Sequence, residues 1–196
     1  MSLILCVSAH AFVKNKTKNP IHEITSSLER KVNEFKTELP QDLEVCFSPD
    51  EPCDLKLLKF IESAEKSIEV AVFDINLDQI VHALILKSKK INVRVLVDKR
   101  QSKGQHSLVQ TLVKGGVKVR YGSQRGVMHN KFVIIDQKFL ETGSFNYTNH
   151  AYKANQENQI YIHNPAVIDR YLKRFEQSWK SGKEVTLEGV GKEEKE

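Results

Sequence analysis

No apolar run in the chain approaches the roughly 20 residues that a membrane-spanning helix needs. The longest, Leu3–Val13, is broken by Ser8 and His10. It has no basic residue before it, so it makes a poor signal peptide, although Ala9-His10-Ala11 imitates a cleavage site. Cysteine is scarce too: Cys6, Cys46 and Cys53 are too few for a disulfide framework. Cys46 and Cys53 are close enough to bridge across a Pro-containing loop, but two reduced thiols are the favoured reading. No Cys or His pairs recur at ligand spacing, so zinc is not expected, and no Asp/Glu cluster suited to Mg²⁺ accompanies the candidate site residues, so no metal or other cofactor is expected. With nine Gly and five Pro in 196 residues, the chain is neither collagenous nor of low complexity.

Acidic residues are nearly missing from one stretch. Between Lys87 and Lys131 there are twelve Lys or Arg and one acid, Asp98, a net +11 in 45 residues. The whole chain carries only +5, so the remainder is net acidic. A chain polarised in this way presents one face suited to a polyanion, either nucleic acid or an anionic phospholipid surface. Arg100, Lys103 and Arg125 are candidates for lining such a groove.

The rest of the chain alternates between two periodicities. Residues 1–40 read as an N-terminal extension with one amphipathic helix, Pro20–Leu39, in which Ile21, Ile24, Leu28, Val32 and Phe35 recur at helical spacing. Strands are expected at Leu43–Phe47, Ile68–Phe73, Ile91–Val97 and Val117–Tyr121. Helices are expected between them: one capped by Asp54 and running to Lys66, then Asp78–Ser88 and Ser107–Lys114. Lys131–Ile135 and Phe139–Thr142 form a predicted antiparallel hairpin, Asn158–Ile162 a further strand, and Pro165–Trp179 a long helix closed by Gly182. The expectation is a single α/β domain over 41–182, a mixed, largely parallel sheet flanked by helices on both faces. A charged tail, 183–196, follows.

The chemistry concentrates in His129-Asn130-Lys131 and in Gly143-Ser144-Phe145-Asn146. On a strand His129 and Lys131 share a face, and so do Ser144 and Asn146. A hairpin loop of Gln137-Lys138 sets Lys131 opposite Ser144 and His129 opposite Asn146. Asp136, seven residues beyond His129, falls on the other face. An imidazole, an ammonium, a hydroxyl and an amide then converge. The imidazole can attack phosphorus, and the other three can hold non-bridging oxygens as negative charge develops.

His129-x-Lys131-x4-Asp136 with Gly143-Ser144-x-Asn146 downstream resembles the HKD signature of the phospholipase D superfamily. The resemblance extends from about Cys46 to about Trp179. It takes in Phe47-Ser48-Pro49, Val97-Asp98 at a strand end, Glu157-Asn158 at a strand start, and the Trp-bearing helix. It is nearest to the small single-motif members, the bacterial Nuc-type endonucleases and the mitochondrial cardiolipin hydrolase/Zucchini group. The resemblance implies a phospholipase D-like fold and a phosphohistidine on His129. Lys131, Ser144 and Asn146 would bind phosphate, Glu157 would orient the imidazole, and Asp136 would support the site.

Family enzymes use two such motifs, one histidine attacking and the other protonating the leaving oxygen. One motif per chain therefore implies a homodimer that brings two copies of His129 together. Phe73-Asp74-Ile75-Asn76 departs from the small members, which carry an aromatic followed by Ser or Thr in this groove-lining stretch. The longer anchor and the zinc-binding cysteines of the mitochondrial group are missing as well. The first departure bears on substrate preference, whereas the missing anchor and cysteines favour a soluble nuclease over a phospholipase D-type lipid hydrolase, with a non-catalytic nucleic-acid-binding protein as a third reading. A cytoplasmic location is the default, and export to the periplasm or attachment to a membrane surface is the alternative.

Overall fold

A computed structural model describes residues 43–122 and 126–187. The expected extension 1–40, with its helix Pro20–Leu39, and the groove candidate Arg125 lie outside the described residues. Eight strands form one sheet: β1 (Leu43–Ser48), β2 (Ser67–Val72), β3 (Asn92–Val97), β4 (Lys118–Tyr121), β5 (Lys131–Ile135), β6 (Phe139–Gly143), β7 (Glu157–Ile162) and β8 (Lys183–Glu184). Their spatial order is β1-β7-β6-β5-β2-β3-β4-β8. The β-branched, apolar strands lie at the centre: every residue of β2 and of β5 is buried.

Five helices connect them: α1 (Cys53–Glu62), α2 (Asp78–Ser88), α3 (Val109–Lys114), α4 (Asn149–Lys153) and α5 (Pro165–Ser181). Strand alternation divides the core in two. Val70, Val95 and Val133 pack on one face with Leu57 of α1, Leu84 of α2 and Leu112 of α3. Ala71, Leu96, Phe132 and Ile134 pack on the other with Ile168 and Phe175 of α5. The start of α5 is set by Asn164, whose side-chain oxygen accepts from the N–H groups of Ala166 and Val167, with Pro165 in the first turn. Trp179 is a packing residue, stacked on Phe175 with centroids 5.7 Å apart.

The mixed sheet and its helices on both faces match the expectation, but the sheet is less parallel than expected. Only β2–β3 and β3–β4 are parallel, and the other five pairings are antiparallel. The late strands β5, β6 and β7 insert beside β2 rather than extending its parallel run, and β8 adds an antiparallel edge. Lys183 and Glu184, read as the head of a charged tail, form that edge, and Val185 behind them is buried. The five residues of α4 are too few to show a period in sequence.

Two local corrections concern carboxylates. Asp54 is not a helix cap: α1 begins at Cys53, and buried Asp54 accepts from Gln79 Nε2 at 2.8 Å. Asp136 is drawn into the hairpin loop. Its Oδ1 accepts from the backbone N–H of Lys66 at 2.6 Å and of Ser67 at 3.0 Å, and its Oδ2 from that of Glu65 at 3.0 Å. Helix α1 ends at Glu62, well before Lys66, and Asp136 takes a φ of 53°. The loop is thus Asp136-Gln137-Lys138, with Ile135 paired to Phe139. The hairpin register is one residue away from that expected. Cys46 and Cys53 form a disulfide between β1 and α1, where reduced thiols were favoured.

Candidate active site

β5 runs antiparallel to β2 with Lys131 paired to Val72, so the start of β5 lies beside the C-terminal end of β2. His129 stands two residues ahead of the strand and is exposed. Lys131 is buried, and its ammonium turns back along the chain. Nζ donates to the His129 carbonyl oxygen at 2.8 Å and lies 3.1 Å from Nδ1 and 3.2 Å from Nε2 of its ring. Phe73, the residue after β2, packs on the imidazole with centroids 4.6 Å apart, and the same ring lies 5.3 Å below Lys131 Nζ. One aromatic face therefore supports both the imidazole and the cation.

The second half of the site comes from the end of β6 and the start of β7. Gly143 is required there by close approach: a Cβ would lie 2.0 Å from the Asn158 carbonyl oxygen. That approach lets the Ser144 N–H donate to Asn158 O at 3.1 Å. Ser144 Oγ donates to Glu157 Oε2 and accepts from the Asn158 N–H at 3.1 Å. Asn155 Nδ2 donates to the other Glu157 oxygen at 2.9 Å. Asn146 follows on the same loop, and its Oδ1 is buried without a hydrogen-bond partner.

Electrostatics joins the two halves. Burial pushes the Lys131 ammonium below the ordinary lysine value, and the Glu157 carboxylate pulls it partly back up. Glu157 does not hydrogen-bond to His129 within the chain. Its carboxylate is taken by Ser144 and Asn155, so the expected contact with the imidazole is not formed here. Among the described residues, no group of three or more His, Cys, Asp or Glu could hold a metal ion.

The cluster thus contains His129, Lys131, Ser144 and Glu157, with Asn146 beside Ser144. It does not contain Asp136, which lies at the far end of β5 and binds the backbone of residues 65–67. Burial would raise the Asp136 carboxyl, but the N–H donors of Glu65, Ser67 and Lys66 outweigh it and hold it below the usual range. Arg100 and Lys103 are exposed on the 3-10 turn Gln101–Lys103 and its preceding residue. Asn155 was missed by the sequence reading, and Asn158 was noted only as a strand start; the hydrogen bonds of the folded chain show that they flank Glu157 and Ser144. Nor is the cluster in the roughly 400 Å³ cleft lined by Phe60, Phe139 and Tyr161, which opens at the opposite end of β5 and β6.

A profile described as "Cardiolipin synthase, PLD-like domain" matches residues 57–179, well over half of the chain. The chain belongs to the phospholipase D superfamily. Within the superfamily it falls in the subgroup with a single HKD motif. It is 34% identical over 143 residues to a phospholipase D of Rickettsia prowazekii, covering 72% of this chain and 68% of that one. It is 33% identical over 125 residues to a mitochondrial cardiolipin hydrolase of Chlamydomonas reinhardtii, covering 63% of this chain but only 56% of that protein. The crystal structure of Nuc from Salmonella typhimurium, a phospholipase D family member, superposes with a TM-score of 0.69 at 28% identity. The match covers 73% of this chain and 97% of Nuc. The fold extends to NucT from Helicobacter pylori, with a TM-score of 0.66 at 22% identity.

Proposed function

We propose that the protein is a metal-independent phosphodiesterase that cleaves nucleic acid internally, through a covalent phosphohistidine on His129. The observation that carries this reading is the Lys131 ammonium placed against both ring nitrogens of an exposed His129, with Ser144 and Asn146 on the loop after β6 and Glu157 at the start of β7. A ring nitrogen of His129 attacks phosphorus, a P–N bond forms, and the bond to the leaving oxygen breaks. The leaving oxygen takes a proton from a second histidine. Water, deprotonated by that same histidine, then cleaves the P–N bond and frees His129. Lys131, Ser144 and Asn146 hold the non-bridging oxygens while charge develops. Glu157 fixes the Ser144 hydroxyl and keeps Lys131 charged. The second histidine is His129 of the other subunit in a homodimer.

Nucleic acid is the favoured substrate because the basic stretch 87–131 leads directly into the site, and phosphate neutralisation gives affinity without sequence preference. The lipid reading rests on a different observation. Val127, two residues from His129, is 55% exposed, and the cardiolipin hydrolase relative shares a third of its aligned residues. The Cys46–Cys53 disulfide supports an oxidising compartment over the cytoplasm. Among the described residues no helix is long and apolar enough to cross a membrane.

The test is turnover in excess EDTA with single-stranded DNA, duplex DNA, RNA and cardiolipin vesicles, with His129→Ala alongside. EDTA-resistant cleavage of nucleic acid that disappears in the variant is the expected result. Lipid turnover alone transfers the protein to the lipid reading. Binding of nucleic acid without turnover of any substrate returns it to a non-catalytic role.

A further inference from the structure

His129 lies outside the hydrogen-bonded ladder, so its position depends on whatever holds the chain just before it. The Met128 N–H, one residue upstream, donates to Asp98 Oδ2 at 3.0 Å. The other oxygen, Oδ1, accepts from the backbone N–H groups of Arg100 at 2.9 Å and Gln101 at 3.0 Å. Asp98 directly follows β3 and is 5% exposed, and Met128 is equally enclosed at 4%. The Met128 side chain lies in the core cluster with Leu96 of β3 and packs closely on Gly122, the residue after β4, where a Cβ would come within 2.7 Å of its Cγ. Gln101 continues the chain of contacts, since its Nε2 donates to Asp74 Oδ2 at 3.0 Å. Asp74 follows Phe73, the ring beneath the imidazole.

We propose that Asp98 is a positioning residue that ties the backbone ahead of His129 to the basic turn at residues 99–103. One carboxylate fixes two segments, the chain carrying the nucleophile and the turn displaying Lys99, Arg100 and Lys103. A carboxylate is needed because all three of its partners are N–H donors. An asparagine there presents one acceptor oxygen, and its NH₂ group meets a donor on one side. The affected segment releases, and the buried N–H it leaves behind is unpaired. The consequence is a loss of orientation at the attacking atom, which lowers the rate of the chemical step rather than the affinity for substrate.

This inference rests on His129 being the nucleophile, and the experiment separates the two ideas. Asp98→Asn, His129→Ala and the wild-type protein are assayed on a small aryl phosphodiester, too short to reach the basic turn. The expected result is a fall in kcat of roughly tenfold or more in Asp98→Asn, with KM within about twofold. A merely structural role would instead lower the fraction of folded protein, so kcat is normalised to folded protein measured by near-UV circular dichroism. Full kcat in Asp98→Asn with no turnover in His129→Ala overturns this inference alone. Retained turnover in His129→Ala overturns both.

Should Asp98→Asn fail to fold, amide hydrogen exchange on the wild-type protein decides. The Met128 amide is expected to be protected by at least about tenfold relative to its exposed neighbours Val127 and His129. Equal exchange at all three overturns the proposal.

Discussion

Ser144 donates its hydroxyl hydrogen bond to Glu157, thirteen residues further on and at the start of the next strand. That contact joins the loop after β6 to β7, and through the charge on Glu157 it reaches Lys131 on a third strand. The site is therefore an electrostatic unit rather than a set of independent side chains.

Replacing Glu157 by Gln should shift the alkaline limb of the pH–rate profile. The Glu157 carboxylate raises the Lys131 pKa against the lowering effect of burial, so removing its charge lets the ammonium deprotonate at lower pH. The expected result is a limb moved towards acid relative to wild type, read from kcat/KM between about pH 7 and 10. A limb that moves towards alkali would show that Glu157 does not act on Lys131.

Glu141 offers a prediction about stability. Its side chain is completely buried, and burial pushes its carboxyl up to about 8, only partly opposed by the hydrogen bond from Tyr147 Oη at 2.9 Å. The folded state therefore holds a proton that the unfolded state loses near the ordinary carboxyl value of 4.5. Between those two values stability falls as pH rises, by up to about 1.4 kcal/mol per unit for this group. Glu141→Gln has no such proton to lose. Urea unfolding at pH 5, 6.5 and 8 should show the variant gaining on the wild type as pH rises, by a few kcal/mol across the range.

Gly143→Ala tests the close approach that forms the loop carrying Ser144 and Asn146. The added methyl meets backbone, the Asn158 carbonyl, which cannot move aside as a flexible side chain would. The two strands must part, and the Ser144 N–H to Asn158 O bond goes with them. The expected outcome is a loss of about 1–3 kcal/mol, the range for overpacking, with activity reduced more than 100-fold. A stable, fully active variant would refute the geometry.

The disulfide closes a loop with a sequence separation of 7. Constraining so short a loop stabilises by about 2–3 kcal/mol on chain-entropy grounds. Thermal unfolding with and without dithiothreitol should show a lower midpoint on reduction. A Cys46→Ser/Cys53→Ser double variant should unfold at a midpoint that does not respond to reductant.

Much of the fold was legible because period is a local property. Helix α2 occurs at Asp78–Ser88 and strand β5 at Lys131–Ile135, both as the apolar spacing predicts. The spacing of His129, Lys131, Ser144 and Asn146 was equally local, and it carried the resemblance to the superfamily to which the chain belongs. The pairing of Cys46 with Cys53 was not legible, since sequence proximity permits a bridge but does not orient two thiols.

What the chain by itself determined was the family, the candidate site residues and the order of helices and strands. Tertiary structure decided how they meet. Asp136 was expected on the face away from His129, and there three backbone N–H groups from residues 65–67 engage it in a hairpin loop whose register lies one residue from that expected. Glu157 was expected on the imidazole, and instead its oxygens are engaged by Ser144 and Asn155. In both cases a carboxylate had several possible partners along the chain. The outcome was set by which N–H and O–H donors folding brought within reach of each carboxylate, because a carboxylate accepts several hydrogen bonds at once and sequence spacing does not say from where.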